Sequence, residues 1–255
     1  MVDKDTSQER IAKRLARAGV ASRREAERII LAGRVSVNGR RIETPALTVG
    51  ASDRVTVDGR EIGAPEAPRL WRYNKPAGLV TTDRDEKGRP TIFDRLPPEL
   101  PRVMNIGRLD LTSEGLLLLT NDGELKRKLE LPSTGWLRRY RVRVHGTPDA
   151  EMLRPLAEGV RIDGERFKPM TVTIDRQQGS NAWLTFGLRE GRNREIRRAA
   201  EHVGLTVNRL IRISYGPFQL GDLQTGAVEE VQRRVLAEQM GWKRQKQQDH
   251  GQKKS

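Results

Sequence analysis

Apolar and polar positions recur with two different periods along this chain, and the period changes between segments. Near the start, apolar residues recur at helical spacing over Ile11–Ala18 and again over Ala26–Ile30. A capping-box sequence precedes each run, Thr6-Ser7-Gln8-Glu9 and Ser22-Arg23-Arg24-Glu25, and a glycine follows each run. The pattern therefore predicts two short helices.

Alternation with a period of two follows these helices. The segment Val35-Ser36-Val37 leads into Asn38-Gly39, and Val55-Thr56-Val57 leads into Asp58-Gly59, which predicts two tight hairpins. Helices and hairpins together predict a small domain over residues 8–62. Residues 63–68, rich in Pro and Ala, are typical of a linker.

Residues 69–240 are dominated by short strand-like segments separated by turn sequences. Strands are predicted at 70–73, 79–82, 116–120, 137–145, 171–174, 182–188 and 205–215. Helices are predicted after Thr147-Pro148-Asp149 and over 192–203. These elements predict an α+β protein: a small N-terminal α/β domain and a larger domain with a mostly antiparallel mixed sheet flanked by helices. Residues 241–255, rich in Lys and Gln, are predicted to be a disordered basic tail.

Composition narrows the class of partner. Lys and Arg number 48 against 34 Asp and Glu, a formal net charge of +14, which favours nucleic acid as the partner. The chain has no Cys, so disulfides and thiolate metal sites are excluded. No apolar run is long enough to span a bilayer, and the N-terminus lacks the apolar core of a signal peptide. We expect a cytoplasmic monomer, because no heptad pattern or long apolar edge is evident.

No metal or cofactor is expected. The three histidines, His145, His202 and His250, are scattered, and no nucleotide-binding loop is present.

Positive charge is concentrated in the small domain. Residues 10–41 carry ten Lys and Arg against only two acids, Glu25 and Glu27. We therefore predict RNA or DNA phosphate contacts there, against the alternative of a solvated helix face. The candidate RNA-binding residues are Arg23, Arg24, Arg28 and Arg34. The segments 10–19, 22–26 and 33–39 resemble the S-four-type RNA-binding domain, which implies structured RNA as the ligand.

A single acid stands out in the larger domain. Asp110 ends Gly107-Arg108-Leu109-Asp110, at a glycine-marked bend ahead of the apolar run Leu116–Leu119. A carboxylate in such basic surroundings suggests a nucleophile that faces a polyanion, although Asp in a turn is commonly only turn chemistry. Both interpretations stay open from this motif alone.

Two further arginine-rich segments suggest RNA contacts. In the strand 138–144, Arg139, Arg141 and Arg143 share one face, and Tyr140 lies on the other, as a core aromatic or as a ring that stacks on a base. The segment 189–198 passes from a strand into a helix start. It predicts either an anion site or an exposed helix with internal salt bridges.

Taken together, several separated motifs resemble the RsuA/RluB family of ribosomal-RNA pseudouridine synthases, over about residues 8–235. They are Lys75-Pro76-Ala77-Gly78, the segment 88–97, Gly107-Arg108-Leu109-Asp110 with 113–118, Arg139-Tyr140, and the segment 190–198. The Arg-Asn-Arg-Glu form of the last motif is closer to the large-subunit (RluB-like) branch. The resemblance implies that specific uridines in ribosomal RNA, free or in an assembling ribosomal subunit, are isomerised to pseudouridine without a cofactor.

The family resemblance also implies roles for individual residues. Asp110 would be the catalytic nucleophile, Arg197 the cation beside it, and Tyr140 the ring that stacks on the target base. Arg108 would fill the space of the flipped-out base, or alternatively pair with Glu114. Lys75 would contact backbone phosphate or only form a turn. Weaker candidates for phosphate contacts are Arg192 and Arg194.

Three other functions remain open at this point. They are a synthase for small-subunit ribosomal RNA, a non-catalytic RNA-binding assembly factor that has kept the fold, and a DNA-binding protein.

Overall fold

The computed structural model describes residues 8–242. In chain order the strands are β1 Glu9–Arg10, β2 Val35–Val37, β3 Arg40–Ile42, β4 Thr48–Val49, β5 Val55–Val57, β6 Arg60–Glu61, β7 Leu70–Lys75, β8 Met104–Ile106, β9 Ser113–Thr120, β10 Arg138–His145, β11 Arg161–Ile162, β12 Glu165–Arg166, β13 Thr171–Gln178, β14 Asn181–Leu188, β15 Thr206–Tyr215, β16 Phe218–Gln219 and β17 Val228–Glu230. The helices are α1 Ile11–Arg17, α2 Arg23–Leu31, α3 Gly123–Glu130, α4 Ala150–Glu158, α5 Glu195–His202 and α6 Arg233–Met240.

The chain divides into two compact units. Among the described residues, the first comprises residues 8–68 together with Pro97–Ile106 and Leu119–Glu130. The second comprises Arg69–Leu96, Gly107–Leu118 and residues 131–242.

The N-terminal part of the first unit is built on α1, α2 and a four-stranded sheet of order β3-β2-β5-β6. Its core is formed by apolar side chains from both helices and the sheet, among them Ile11, Leu15, Ile30, Val35 and Val55. Both predicted hairpins are present. Both residues of each turn take positive φ, as a type I′ turn requires: 52° at Asn38 and 79° at Gly39 in the first, and 50° at Asp58 and 79° at Gly59 in the second.

The two predicted capping boxes differ in outcome. At α2 the Ser22 hydroxyl accepts the Glu25 backbone N–H at 3.2 Å, which confirms a side-chain cap there. At α1 the prediction was wrong for Glu9, which lies in β1 opposite Val49, and Arg10 precedes the helix with no side-chain cap. Thr6 and Ser7 lie outside the described residues.

The second unit is organised around a mixed sheet with the path β13-β14-β10-β15-β9-β7-β17, and β16 pairs with β15. Strand β10 is antiparallel to β14 and β15, whereas β9 runs parallel to β15. Helices α4 and α5 contact β13 and β15 respectively. The α+β fold with a largely antiparallel mixed sheet is therefore confirmed.

Two predicted elements differ in the structure. Residues 79–82 do not form a strand, because Val80 makes only an isolated bridge to Thr91. Helix α5 begins at Glu195 rather than at 192, because Arg194 takes a left-handed conformation with φ 49°. Helix α6 was not anticipated. Residues 243–255 of the predicted tail lie outside the described residues.

Within the described part of the chain, every helix is too short or too polar to cross a bilayer.

Candidate active site

Asp110 lies in the loop that enters β9, and hydrogen bonds hold this loop on both sides of it. The Leu109 carbonyl accepts the Thr81 hydroxyl at 2.8 Å, and the Asp110 carbonyl accepts the Ser113 N–H at 3.0 Å. Leu109 is buried, while the Asp110 side chain is half-buried. Its carboxylate accepts no hydrogen bond from the residues that the structure describes. The loop thus holds a carboxylate in place and leaves its oxygens available.

A buried ammonium group lies beneath this loop. Lys75 is 0% exposed, and its Nζ donates to the carbonyls of Pro76, Asp110 and Ser113 at 2.9, 3.3 and 2.9 Å. Burial lowers the pKa of Lys75 to about 8, and the charges of Asp110 and Glu114 oppose that shift. The positive charge of Lys75 therefore interacts favourably with the negative charge of Asp110.

The position of Lys75 differs from the phosphate contact that we predicted for it. Because its Nζ has no access to solvent and already donates three hydrogen bonds, it cannot reach an RNA backbone in this structure. The alternative that we left open, a role in the turn, agrees with the geometry. Gly78 takes φ 87° and donates its N–H to the Leu111 carbonyl at 2.8 Å, in the same loop.

Substitution of Lys75 tests this structural role. We expect Lys75→Met to lower the free energy of unfolding by about 1–3 kcal/mol, because it leaves buried carbonyls without a donor. Between pH 8 and the ordinary pKa of 10.5, the unfolded wild-type chain binds more protons at Lys75 than the folded chain does. Wild-type stability should therefore rise with pH in this window through Lys75, and the variant should lack that rise. Urea denaturation of both proteins at pH 7.5 and pH 10 measures both effects, and equal pH dependence would contradict the assignment.

Arg197 projects from α5 toward the same loop. Its guanidinium donates to the Thr112 hydroxyl at 3.0 Å and to the Val207 carbonyl at 3.2 Å. Burial lowers the pKa of Arg197, Arg194 lowers it further, and the charge of Asp110 raises it. Thr112, two residues after Asp110, therefore holds the guanidinium within electrostatic range of the Asp110 carboxylate. The structure thus brings together Asp110, Arg197 and, beneath them, Lys75.

The turn before α5 is fixed by two acidic side chains. The carboxylate of Glu195, which is buried, accepts the Arg192 N–H at 2.8 Å, and Glu190 accepts the Lys168 N–H at 2.6 Å. Burial raises the pKa of Glu195 to about 7; the hydrogen bond from the Arg192 N–H opposes that shift, and the charge of Glu190 adds to it. The Glu195 contact ties Arg192 to the first residue of α5, and the left-handed Arg194 lies between them.

Tyr140 occupies the inner face of β10 and is 8% exposed. Its cross-strand partners are Phe186 on β14 and Arg212 on β15. In the described part of the chain no hydrogen bond or ring contact joins Tyr140 to Asp110 or Arg197. Tyr140 therefore lies on the covered face of the sheet, between Phe186 and Arg212.

A buried arginine beside Tyr140 was missed by the sequence reasoning. Arg212 is 2% exposed and donates Nε to the Leu116 carbonyl at 2.7 Å, with its guanidinium 5.4 Å from the Tyr215 ring centroid. Its Nη2 is buried and has no hydrogen-bond partner among residues 8–242. Thr112, the partner of Arg197, was missed as well. The alternation of side chains along β15 could have predicted this burial, because Arg212 lies two residues from each of the buried residues Leu210 and Ser214 and so shares their face of the strand.

The predicted RNA-contacting arginines of the larger unit are exposed. The Arg108 guanidinium makes no hydrogen bond or ion pair with any residue in 8–242, and the pairing with Glu114 that we considered for it is wrong, because Glu114 pairs with Arg209 at 2.9 and 2.8 Å. Arg194 is likewise exposed, while Arg192 donates to Glu190 at 3.2 Å.

The arginines of the small domain fall into two groups. Arg23 and Arg24 are exposed and make no hydrogen bond or ion pair with any described residue, and Arg23 lies within electrostatic range of Glu124. Arg28 pairs with Glu25 at 3.1 Å, and Arg34 makes a two-point pair with Asp58 at 2.9 and 2.6 Å. The first two are therefore the stronger candidates for phosphate contacts, because no described residue holds either of them in an ion pair.

Comparison with known proteins gives a consistent result. The profile of the RNA pseudouridylate synthase family matches residues 69–202, and that of the S4 domain matches residues 9–55. A protein of Rickettsia prowazekii, named an uncharacterized RNA pseudouridine synthase, is 46% identical over 91% of this chain and 97% of its own length. The ribosomal large subunit pseudouridine synthase B of Salmonella typhi is 44% identical over 83% of this chain and 75% of its own length. A crystal structure of a pseudouridylate synthase has the same fold, with a TM-score of 0.63 at 24% identity over 89% of this chain and 97% of that one.

Proposed function

This chain belongs to the RNA pseudouridylate synthase family and carries an S4 domain at its N-terminus, and from that premise we propose that it isomerises specific uridines of large-subunit ribosomal RNA. The reaction breaks the bond between uracil N1 and the ribose, turns the base, and joins C5 to the same sugar carbon. No atoms are gained or lost, so neither a redox partner nor a group donor is required. The relatives named for the large subunit support this choice of RNA.

The observation that carries the proposal is the Asp110 carboxylate, held by its loop in the neighbourhood of Arg197. A carboxylate can add to an electrophilic carbon of the nucleotide and divide one difficult step into two easier ones. We propose Asp110 as this nucleophile, with the guanidinium of Arg197 balancing its charge in a half-buried site. Lys75 is a positioning residue, because it touches only the backbone of the Asp110 loop.

Access to the target base requires that the nucleotide leave its stack, which costs a few kcal/mol. We propose that Arg108, which is exposed and pairs with no described residue, occupies the vacated space, since a planar guanidinium can stack where the base was. Tyr140 is proposed to form the wall on which the flipped uracil stacks. An rRNA substrate also leads us to propose that the protein acts in the cytoplasm, on free rRNA or on an assembling subunit.

Mapping of pseudouridine in total rRNA, from cells with and without the gene, tests the proposal. One missing site, restored by the wild-type gene but not by the Asp110→Asn variant, would support the reaction, the nucleophile and the target together. A site lost from small-subunit RNA would favour the small-subunit alternative. If every site remains while the purified protein binds rRNA, the non-catalytic assembly factor replaces our proposal.

We also expect the small domain to supply affinity for RNA. Removing the charges of Arg23 and Arg24 by the double substitution to Gln should weaken rRNA binding by roughly tenfold. It should also reduce the slope of log K against log salt by about 1.5, because fewer counterions are released on binding when two phosphate contacts are lost. The matched control is the double substitution of Arg40 and Arg60, exposed arginines of the same domain, to Gln. Salt-dependent fluorescence anisotropy measures both, and equal loss in the two variants would contradict a specific role for α2.

A further inference from the structure

The outer surface of the larger sheet carries a row of arginines that the proposed reaction does not use. Along β10 the side chains of Arg139, Arg141 and Arg143 are exposed, and those of the intervening Tyr140 and Val142 are buried. Since neighbouring side chains of a strand point to opposite faces, the three arginines lie on the reverse of the sheet from Tyr140. The row is therefore separate from the proposed base-binding surface.

Neighbouring strands extend this surface. Arg143 is directly opposite Trp183 on β14 and Arg209 on β15, and residues opposite each other in an antiparallel pair share a face. The guanidinium of Arg141 lies 4.9 Å from the centroid of the Trp183 ring. We call this surface the arginine face; it consists of Arg139, Arg141, Arg143, Trp183 and Arg209.

Its positive charge is only partly compensated. Glu114 pairs with Arg209, and Asp175, the extra residue of a bulge in β13, adds one further negative charge beside Thr185, whose hydroxyl it accepts at 2.8 Å. The side chains of Arg139, Arg141 and Arg143 make no ion pair or hydrogen bond with any residue that the structure describes. Like charges side by side on a sheet repel each other and lower stability. A polyanion bound across the face would remove this repulsion.

The chemistry of the face fits RNA better than a lipid surface. Cations in a row match successive phosphates, and the indole of Trp183 offers a ring on which an unpaired base can stack. Directly opposite Arg141 are Thr185 and the half-buried Ile211, so beside Arg141 the face has one polar and one partly covered apolar side chain, not the exposed apolar cluster that inserts into a bilayer.

We propose that the arginine face is a second RNA-binding surface, which holds the backbone of the substrate RNA on the side of the sheet opposite Tyr140. This proposal rests on the proposed function only in taking RNA as the partner. Neutralising Arg141 and Arg143 by double substitution to Gln should weaken binding of an rRNA fragment by roughly tenfold and reduce the salt slope by about 1.5.

Trp183 gives a second, different signature. Because it carries no charge, Trp183→Leu should weaken binding by roughly tenfold through lost stacking while leaving the salt slope unchanged. The matched control is the double substitution of Arg161 and Arg166 to Gln. These exposed arginines are opposite each other on the hairpin β11–β12, so the control removes the same charge from another surface.

Anisotropy titrations at four salt concentrations, with melting curves to verify folding, test the proposal on the full-length protein. A reduced slope in the Arg141 and Arg143 variant but not in the control would support it. Wild-type affinity and slope in that variant, or an equal loss in the control, would overturn it. The proposal would also be overturned if the Arg141 and Arg143 variant bound rRNA normally and lost binding only to phosphatidylserine vesicles. Pseudouridine formation by the wild-type protein is assayed separately. Its absence would refute the proposed reaction, whereas the binding data would still decide the role of the arginine face.

Discussion

Replacing Asp110 with asparagine is expected to reduce pseudouridine formation by on the order of 10⁴-fold while RNA affinity stays within a few fold of wild type. The amide keeps the size of the side chain but cannot act as a carboxylate nucleophile. The loss should therefore appear in the rate of the bound complex and not in the binding step.

The structure explains why this substitution should leave the fold intact. The loop is held through its backbone: the Asp110 carbonyl accepts hydrogen bonds from Lys75 and Ser113, and the Leu109 carbonyl accepts one from Thr81. Asparagine at position 110 preserves every one of these contacts. The Asp110 carboxylate accepts no hydrogen bond from the described residues, so its neutralisation leaves no donor unsatisfied. A loss of activity could then not be attributed to a misplaced loop.

Single-turnover conversion of a uridine-labelled rRNA fragment, at saturating protein, measures the effect. Asp83→Asn is the matched control, because Asp83 is exposed and the substitution removes the same charge. We expect the control to react at the wild-type rate. Full activity of the Asp110 variant would rule out a nucleophilic role for this residue, and equal loss of affinity and rate would indicate a role in binding instead.

Much of the fold could be predicted because local chemistry determines it. The two hairpins depend on residues that tolerate positive φ, Asn38-Gly39 and Asp58-Gly59, and these were recognisable in the sequence. The cap at Ser22 and the helix start at Asp149, whose carboxylate accepts the Met152 N–H at 2.8 Å, were recognisable in the same way. Each of these signals lies within a few residues of the element that it predicts.

Other features depend on contacts between distant segments and could not be predicted locally. Lysine is rarely buried, so nothing in Lys75-Pro76 alone indicated an ammonium group with three carbonyl partners, two of them from the Asp110 loop. Arg194 takes a left-handed backbone conformation with φ 49°, so α5 begins later than its sequence suggested. The contact between Arg197 and Thr112 joins two motifs that only the folded sheet brings together.

The same contact leads to the second large effect. We expect Arg197→Met to lower the single-turnover rate by roughly 10³-fold, because it removes the cation that balances the Asp110 charge and lines the site. Arg197→Lys keeps the charge but cannot donate to Thr112 and Val207 in the fixed geometry of a guanidinium, so its rate should be intermediate. The measurement is the rate at saturating RNA, together with the equilibrium affinity.

Two controls make this prediction specific. Arg198→Met removes the same charge from the same helix, but Arg198 contacts Asp163 and Glu165, so its rate should stay within about threefold of wild type. Thr112→Val removes only the hydroxyl that orients Arg197 and should cost about tenfold in rate, while Thr112→Ser should restore it. If Arg197→Met reacted as fast as Arg198→Met, the positive charge beside Asp110 would not contribute to the reaction. If Thr112→Val alone were silent, the charge of Arg197 would matter but its orientation would not.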